Sequence, residues 1–421
     1  MKTKSNKSIK HWVVLFSLCG SVASAVGMPI MASGVFINPV SDSLNVLRGS
    51  FSIHNTISLI VGAVLALYIP RLLKKVPFKL LILTGTLLGV SSTIGFGFAR
   101  SLLMFNLLGV VRGIGMGLFS LVLLVMIINN WFEEKHGLAT SIVMSFSGVA
   151  GAVFSPLFSS LIISIGWQNT YFVMGGLMLI CALPTIVIPF TLNPRDEGLL
   201  PYGHVPEDKE SHKNEETLSS NKPRVNVSAA AFILMLIFVI TQTTITGVPQ
   251  HFPGFAEAAN LSTQVGASML SASMIGSVIF KLLVGYISDY VGSLKATITI
   301  ISLNIIAGFV LIYLQPTFML IIAAFFFGGV YSIPSVGVAL LTKEFFGKEN
   351  FNQLYPKISL VVGLGAAISI SIVGFIYDFT GSYLNALLLA IVLNSVNILI
   401  LFTISKITDR QVALTNQLNN I

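Results

Sequence analysis

Two basic side chains, Arg112 and Lys281, stand inside long apolar stretches of this sequence. A charge at membrane depth is costly and usually has a partner or a function. All 16 acidic residues fall in polar segments or at the ends of the apolar stretches, so the sequence offers these cations no internal counterion. The pattern therefore favours an anionic substrate as the partner of these cations.

Each cation also has a plainer interpretation. The Lys281 stem is long enough to lift its ammonium toward the membrane surface. Arg112 is too deep for this, but an arginine can bond backbone carbonyls and polar side chains of neighbouring helices in a structural or gating role. Lys357 is expected to be an interfacial anchor. His54 is either a proton site or a polar, partly wetted helix-end residue.

The elements that must hold these residues are membrane spans, since a bilayer core needs about 20 helical residues to cross. The chain is 54% hydrophobic and 10% charged, whereas a soluble domain carries about a quarter charged residues. We therefore predict an all-α membrane protein with twelve transmembrane helices. The predicted spans are 12–37, 50–70, 78–98, 102–128, 138–165, 170–191, 228–250, 263–287, 295–314, 317–341, 354–376 and 383–404.

A polar, proline-punctuated segment over 193–227 predicts a flexible cytoplasmic linker. It divides the chain into an N-terminal six-helix bundle, 1–192, and a C-terminal six-helix bundle, 228–421. Two repeated bundles with a binding site at their interface are the architecture of many secondary transporters.

The distribution of basic residues predicts the orientation. With both termini cytoplasmic, the inner segments hold 19 Lys and Arg, and the outer loops hold only Arg48 and Arg100. The positive-inside rule favours this arrangement in a multi-pass protein of the cell membrane. The net charge of +8 then reflects topology, and no basic face suggests nucleic-acid binding. The two cysteines lie in apolar spans and predict neither a disulfide framework nor a metal site.

Three local motifs carry a family resemblance. Residues 285–292, followed by Lys295, resemble the G-x-x-x-D-x-x-G loop of the major facilitator superfamily, with Gly285, Asp289 and Gly292 at its fixed positions. Arg112 and the glycines after it resemble the arginine motif of that superfamily. Residues 130–139 are similar to the segment that enters span five in the monocarboxylate porters and the oxalate:formate antiporters. The resemblance implies two six-helix bundles, transport by alternating access, and a gating role for the 285–295 loop.

The resemblance also implies a role for Lys281. In both of those families a cation four positions before the glycine that matches Gly285 pairs with the substrate carboxylate. The chain departs from the pattern elsewhere: the loop after span two lacks the aspartate, and span eleven lacks the second lysine of the oxalate:formate antiporters. Met31 and Ser277 stand near positions that are charged in the monocarboxylate porters. A monocarboxylate is thus favoured over a dicarboxylate, and proton symport is left open.

Helix breakers in spans one, seven and ten predict bends, which are tolerated where the freed backbone lines a cavity or meets another helix. We predict a secondary active transporter of a small organic anion, a mono- or dicarboxylate, working by antiport or proton symport. The expected substrate-binding residues are Lys281, Arg112, Tyr331 and Gln242. The alternatives are an efflux carrier for larger amphipathic anions such as bile salts or drugs and, more remotely, a transporter-like sensor or membrane enzyme.

The expected partners are the organic anion, a proton as a second candidate, and membrane lipids, with the protein working as a monomer. No segment resembles a phosphate-binding loop, so ATP is not implied. We expect no cofactor and no metal.

Overall fold

The computed structural model describes residues 9–119, 121–203, 228–313 and 316–419. These residues include eleven helices long and apolar enough to cross a membrane. One of them, Leu138–Val187, contains Gly166 at φ 81° and ψ 159°, a backbone conformation that favours glycine and splits the helix into two spans. The described residues therefore provide twelve spans, as predicted, arranged as two bundles of six.

The N-terminal bundle consists of the first six spans. Their bounds are α1 Ile9–Met31, α2 Arg48–Ala66, α3 Phe78–Phe98, α4 Leu102–Trp131, α5 136–165 and α6 167–187. After a short break, α1 continues as a second helix, Gly34–Leu44. Exposed Leu, Ile, Val and Phe side chains cover the outside of the protein, which is the surface expected to face lipid.

The C-terminal bundle consists of the last six spans. Their bounds are α7 Ala229–Ala258, α8 Thr263–Val291, α9 Ser293–Tyr313, α10 Thr317–Gly347, α11 Gln353–Thr380 and α12 Leu384–Gln411. Gly347, at φ 76°, turns the chain between α10 and α11. We call the end of the molecule where α1 begins and α6 ends the linker side, and the opposite end the far side.

The apolar cores show where the two bundles meet. Each bundle has one core on the linker side and one on the far side. The far-side core of the N-terminal bundle includes Ala267, Leu270 and Met274 of α8 and Ile370 of α11. Neither linker-side core includes residues of the other bundle. The bundles are therefore packed together in the far half of the molecule.

The beginning of the predicted linker is docked on the N-terminal bundle. The backbone N–H of Tyr202 donates to the Trp131 carbonyl at 2.8 Å, and the Tyr202 carbonyl accepts from the Glu134 N–H at 2.9 Å. His11 lies against the Tyr202 ring with 5.7 Å between centroids. Residues 193–203 thus belong to the linker-side surface of this bundle. The rest of the predicted linker, 204–227, lies outside the described residues.

Glu197 fastens this docked segment. Its carboxylate accepts hydrogen bonds from the Lys10 ammonium and from the Thr191 backbone N–H. Burial raises the pKa of Glu197, but these hydrogen bonds and the Lys10 charge outweigh burial, and the pKa of this carboxyl lies below its usual range. The ionised carboxylate therefore stabilises the docked segment.

Candidate functional site

A cavity of about 370 Å³ lies between the two bundles. It is within the size range of sites for small molecules. Three helices of each bundle contribute to its wall, namely α1, α2, α4, α7, α10 and α11. The lining residues are Ala25, Val26, Ile30, Met31, Leu59, Gly62, Ala63, Ala66, Met116, Phe119, Thr246, Gln250, Tyr331, Pro334, Gly363, Ala366, Ser369 and Ile370.

Four of these six helices are irregular where they meet the cavity. In α1 the segment Ala23–Met31 is π-helical, and the regular helix of α4 ends at Leu118. In α7 the turn Val248–His251 is a 3₁₀-helix, and α10 contains the π-helical segment Ile333–Gly337. Irregular backbone at membrane depth is tolerated where it lines a cavity or is buried in protein. The bends predicted in spans one, seven and ten are confirmed.

The cavity wall is mostly apolar. None of the described residues that line it is charged. Its uncharged polar side chains are Thr246, Gln250, Tyr331 and Ser369. A ligand in this cavity would therefore be held by apolar contacts and a few hydrogen bonds.

Gln250 connects the two bundles at the far end of the cavity. Its Nε2 donates to the Met31 carbonyl at 3.3 Å and to the Tyr331 hydroxyl at 3.4 Å. Its Oε1 accepts from the Gly34 backbone N–H at 3.1 Å. Gln250 is not among the site residues predicted from the sequence, although the neighbouring bend in span seven was a usable signal. Tyr331, which was selected, lies in the lining beside it.

Arg112 is buried, with 2% of its surface exposed. Its Nε donates to Ser58 Oγ at 3.1 Å, and its Nη2 donates to Asn55 Oδ1 at 2.5 Å. Nη1 donates to the Pro29 carbonyl at 3.5 Å, and the guanidinium lies 5.0 Å from the Phe96 ring centroid. These are the contacts expected of the structural alternative, an arginine that joins neighbouring helices.

Arg112 nevertheless lies close to the cavity. It lines a separate void of about 10 Å³, whose wall shares Ala25, Met116 and Phe119 with the central cavity. Thr86 Oγ1, also in this wall, is buried and has no hydrogen-bond partner in the described part of the chain. The guanidinium is thus one layer of side chains behind the cavity wall.

Lys281 lies on the face of α8 that turns toward the N-terminal bundle. Three residues earlier, Val278 packs against α5 so closely that a Cβ at Gly148 would lie 2.7 Å from Val278 Cγ2. Four residues later, a Cβ at Gly285 would meet nothing within 4 Å. Residues three and four apart share a helix face, so Lys281 stands where the bundles begin to separate. It is half-buried, and no described residue pairs with its ammonium.

The remaining predicted site residues lie elsewhere. Gln242 is buried inside the C-terminal bundle, where its Oε1 accepts from Asn397 Nδ2 at 3.0 Å, and it is outside the cavity lining. His54 is 2% exposed and so is not the wetted residue of one alternative. Lys357 is exposed at the start of α11 and is not part of the lining.

The loop that resembles the superfamily motif ends α8 on the linker side. Asp289 and Lys295 are exposed, and Gly292 has φ 88°, which favours glycine. The Glu344 carboxylate of α10 accepts from the backbone N–H groups at the start of α9, including that of Ser293 at 2.5 Å. A carboxylate at a helix N-terminus is stabilising. The gating role of Gly285, Asp289, Gly292 and Lys295 remains a prediction.

A set of contacts that the sequence analysis missed closes the far side. Asp378 of α11 accepts from the backbone N–H groups of Arg48 and Gly49 at 3.1 and 2.8 Å, capping the start of α2 from the other bundle. Arg48 Nη1 donates to the Tyr383 hydroxyl at 2.8 Å, and its guanidinium lies 4.2 Å from the Tyr377 ring centroid. We call these five residues the far-side gate.

Comparisons with known proteins agree with this architecture. A sequence profile described as Major Facilitator Superfamily matches residues 13–355 and 234–417. Human monocarboxylate transporter 12 is 24% identical over 334 residues, covering 73% of this chain and 64% of that protein, just under two thirds of its length. An uncharacterized MFS-type transporter of Bacillus subtilis, YcxA, is 21% identical over 307 residues, covering 71% of this chain and 70% of that protein.

Among solved structures, the fold matches a bacterial homolog of the human lysosomal transporter Spinster in an inward-facing, unoccupied conformation. The TM-score is 0.65 with 13% sequence identity, covering 97% of this chain and 98% of that one. At this identity the match describes the fold alone. The profile match extends over both bundles, and the structure has the twelve spans and the inter-bundle cavity described above. The chain therefore belongs to the Major Facilitator Superfamily and is a membrane transporter, not an enzyme.

Proposed function

We propose that the protein is a secondary carrier for a small organic anion, in first place a monocarboxylate, which it moves by alternating access. The observations that carry the proposal are a cavity between the bundles and two cations, one behind the cavity wall and one on the inter-bundle face of α8. Arg112 lies behind the cavity wall and Lys281 lies on the linker-side approach, and no carboxylate among the described residues is paired with either. With the linker side cytoplasmic, as the basic residues favour, this conformation faces the cytoplasm.

The arrangement gives each group a task. The Lys281 ammonium attracts a carboxylate into the space between the bundles, where a charge interaction is stronger than in water. The apolar wall accepts the hydrocarbon part of the substrate. The Gln250 amide and the Tyr331 hydroxyl can donate hydrogen bonds to the carboxylate. Because Gln250 Nε2 also holds the Met31 carbonyl of the other bundle, a substrate that competes for this donor weakens one bond between the bundles.

The relatives support the same substrate class. Several of them carry the name monocarboxylate transporter, including the human, mouse, frog and rat forms of monocarboxylate transporter 12. Their sequence identity to this chain is 22–24%. The match supports the class of anion and leaves the particular anion to experiment.

The apolar lining favours a second candidate, an efflux carrier for larger amphipathic anions such as bile salts or drugs. Thr246, Gln250, Tyr331 and Ser369 provide only a small part of the wall of a cavity of about 370 Å³. A very small anion such as formate would leave most of this apolar wall without contacts. The two candidates differ in the size of the anion and share the same cavity.

The test is uptake of labelled anions into proteoliposomes, with and without the same anion inside. The anions are formate, lactate, pyruvate, oxalate and cholate. The variant is Lys281→Gln, and the matched control is Lys343→Gln, an exposed lysine of α10. We expect lactate or pyruvate uptake, with KM raised about 10- to 100-fold by Lys281→Gln because a charge-assisted hydrogen bond contributes about 1.5–3 kcal/mol. Lys343→Gln should leave uptake unchanged.

Three other results of the uptake experiment would change or exclude the proposed substrate. Uptake of cholate without uptake of the four small acids would replace the first candidate with the second. Uptake of a small acid that both lysine variants leave unchanged would exclude the anion contact at Lys281. If folded protein took up none of the five anions, the proposed substrate class would be wrong.

A further inference from the structure

A second histidine, His251, lies beside the far-side gate. It follows Gln250 in the 3₁₀ turn of α7 and is 2% exposed. Its Nε2 lies 2.9 Å from the Ile370 carbonyl of α11. A carbonyl oxygen only accepts, so Nε2 carries the proton and Nδ1 has a free lone pair. In the described part of the chain, Nδ1 is buried without a hydrogen-bond partner.

The His251 side chain lines a small void. His251 and Tyr383 are the polar members of a void of about 10 Å³, whose other lining residues are Val248, Phe252, Phe255, Val373, Ala386 and Leu387. The His251 and Tyr383 ring centroids are 5.6 Å apart. An apolar void of this size holds about one water molecule at most. The void is therefore too small for an organic ligand, whereas the free lone pair of Nδ1 can accept a proton.

His251 is connected to the gate and to the cavity. The Tyr383 hydroxyl beside it accepts from Arg48 of the other bundle. On its other side, Gln250 and Ile370 both belong to the cavity lining. A change of charge on the His251 ring would therefore alter the electrostatic environment of both the far-side gate and the central cavity.

Among the described residues, the charged and titratable groups around this end of α7 come from five helices and from the turn before α12. They are Asp42 on the continuation of α1, Arg48 on α2, Glu257 on α7 itself, Tyr331 on α10, Tyr377 and Asp378 on α11, and Tyr383 just before α12. Glu257 is bonded to Asn38, and Asp378 is bonded to the start of α2. Arg48 is the cation of this set, and its guanidinium, bonded to the Tyr383 hydroxyl beside the His251 ring, opposes a positive charge on that ring.

We propose that His251 is the site at which the carrier binds a coupling proton when the far side opens. A proton from the outer solution forms an N–H bond at Nδ1, and the neutral ring becomes an imidazolium. Closing the gate brings this ring back beside Arg48 and into the apolar void, where its second N–H has no acceptor. The proton then returns to water on the linker side, alongside the anion. This proposal rests on the proposed function, since it makes the carrier a proton and anion symporter.

The first experiment measures net uptake driven by an acidic outer solution, and exchange of the same anion at equal pH. For one proton per anion, the wild type should accumulate the anion about tenfold per pH unit of gradient. His251→Gln keeps an amide that can donate to the Ile370 carbonyl and cannot bind a proton. We expect this variant to lose pH-driven accumulation and to retain exchange, which also establishes that it is folded.

His54→Gln is the comparison, because His54 is the other histidine of the far half that is buried among the described residues; its Nδ1 is bonded to the Phe51 carbonyl. It should retain pH-driven accumulation. If His54→Gln abolishes accumulation and His251→Gln does not, the proposal is overturned. If pH never drives accumulation in the wild type although exchange is observed, the proton proposal fails and the carrier function stands.

A second experiment requires no substrate. Spin labels at Leu103→Cys and Phe318→Cys, two exposed positions at the far ends of α4 and α10, report the distance between the bundles in a background without Cys19 and Cys181. Acidification should lengthen this distance in the wild type and leave it unchanged in His251→Gln. A distance that responds equally to pH in both proteins would contradict the proposal even if no transported anion were known.

Discussion

At the scale of single residues, Arg112 shows how a buried cation is accommodated without a counterion. Its donors meet Ser58, Asn55 and the carbonyl of Pro29, which belong to α2 and to the π-helical part of α1. The Phe96 ring supplies a further attraction. Because these partners come from three other helices, the side chain fixes the packing of α1, α2 and α3 against α4 next to the cavity.

This packing role predicts a loss of stability when Arg112 is replaced. Arg112→Lys removes the planar fork that reaches Ser58 and Asn55 together, and each buried acceptor left unpaired costs about 1–3 kcal/mol. We expect a lower melting temperature of the detergent-solubilised protein without substrate. Arg100→Gln, at an exposed arginine, is the control and should melt like the wild type. If Arg112→Lys left the melting temperature unchanged and raised the KM for the anion, Arg112 would instead belong to the anion path.

At the scale of elements, the irregular segments of α1, α4, α7 and α10 shape the cavity. In the two bundles these helices occupy equivalent places, the first and fourth of each set of six. Each contributes lining residues at its irregular part, such as Ile30, Phe119, Gln250 and Pro334. A regular helix would satisfy its own backbone and present side chains at fixed intervals, whereas these segments bring carbonyls and polar side chains toward the interface.

We expect the docking of segment 193–203 on the linker side to depend on pH through Glu197. The pKa of Glu197 lies below its usual range, so its contribution to docking is fully present above the unfolded pKa of about 4.3. This stabilisation is lost as the pH falls through the lower pKa that Glu197 has in the folded protein. At neutral pH, Glu197→Gln should raise hydrogen exchange of this segment about two- to fivefold, the effect of a partly exposed ion pair.

The control for this effect is Asp196→Asn, an exposed neighbour, which should exchange like the wild type at neutral pH. In strong acid, once intrinsic rates are corrected for, the wild type and Glu197→Gln should converge. A constant difference between them across the acid range would mean that the Glu197 charge does not hold the segment.

At the scale of the whole molecule, the two bundles are fastened together on one side. The far-side core is shared between them, and the far-side gate, the Asn38–Glu257 hydrogen bond and the bond from Thr56 Oγ1 to the Ala367 carbonyl all lie in that half. On the linker side, Gly363 of the cavity wall faces open space. Alternating access requires that this set of contacts be broken and an equivalent set be formed at the other end.

Weakening the far-side gate should therefore shift the equilibrium from the far-side-closed to the far-side-open conformation. Asp378→Asn removes the negative charge from the start of α2, where a charged cap contributes about 0.5–2 kcal/mol. We expect about a two- to thirtyfold larger far-side-open population, measured as a longer distance between spin labels at Leu103→Cys and Phe318→Cys. Asp409→Asn, near the linker-side end of α12, should leave the distances unchanged. Identical distance distributions in both variants would show that Asp378 does not hold the gate.

The amino-acid sequence was sufficient to predict the twelve spans, the bends in three of them and the lack of carboxylates near Arg112 and Lys281. These features follow from apolar run length, from glycine and proline, and from the positions of charges along one chain. The sequence could not predict that Gln250 joins the bundles, that Asp378 caps α2 or that Gln242 lies outside the cavity lining, because these features depend on how the helices pack. Apolar periodicity requires a helix to be buried and does not specify which helix covers it. Contacts such as that between Arg48 and Tyr383, 335 residues apart, exist only once two separate bundles have packed against each other.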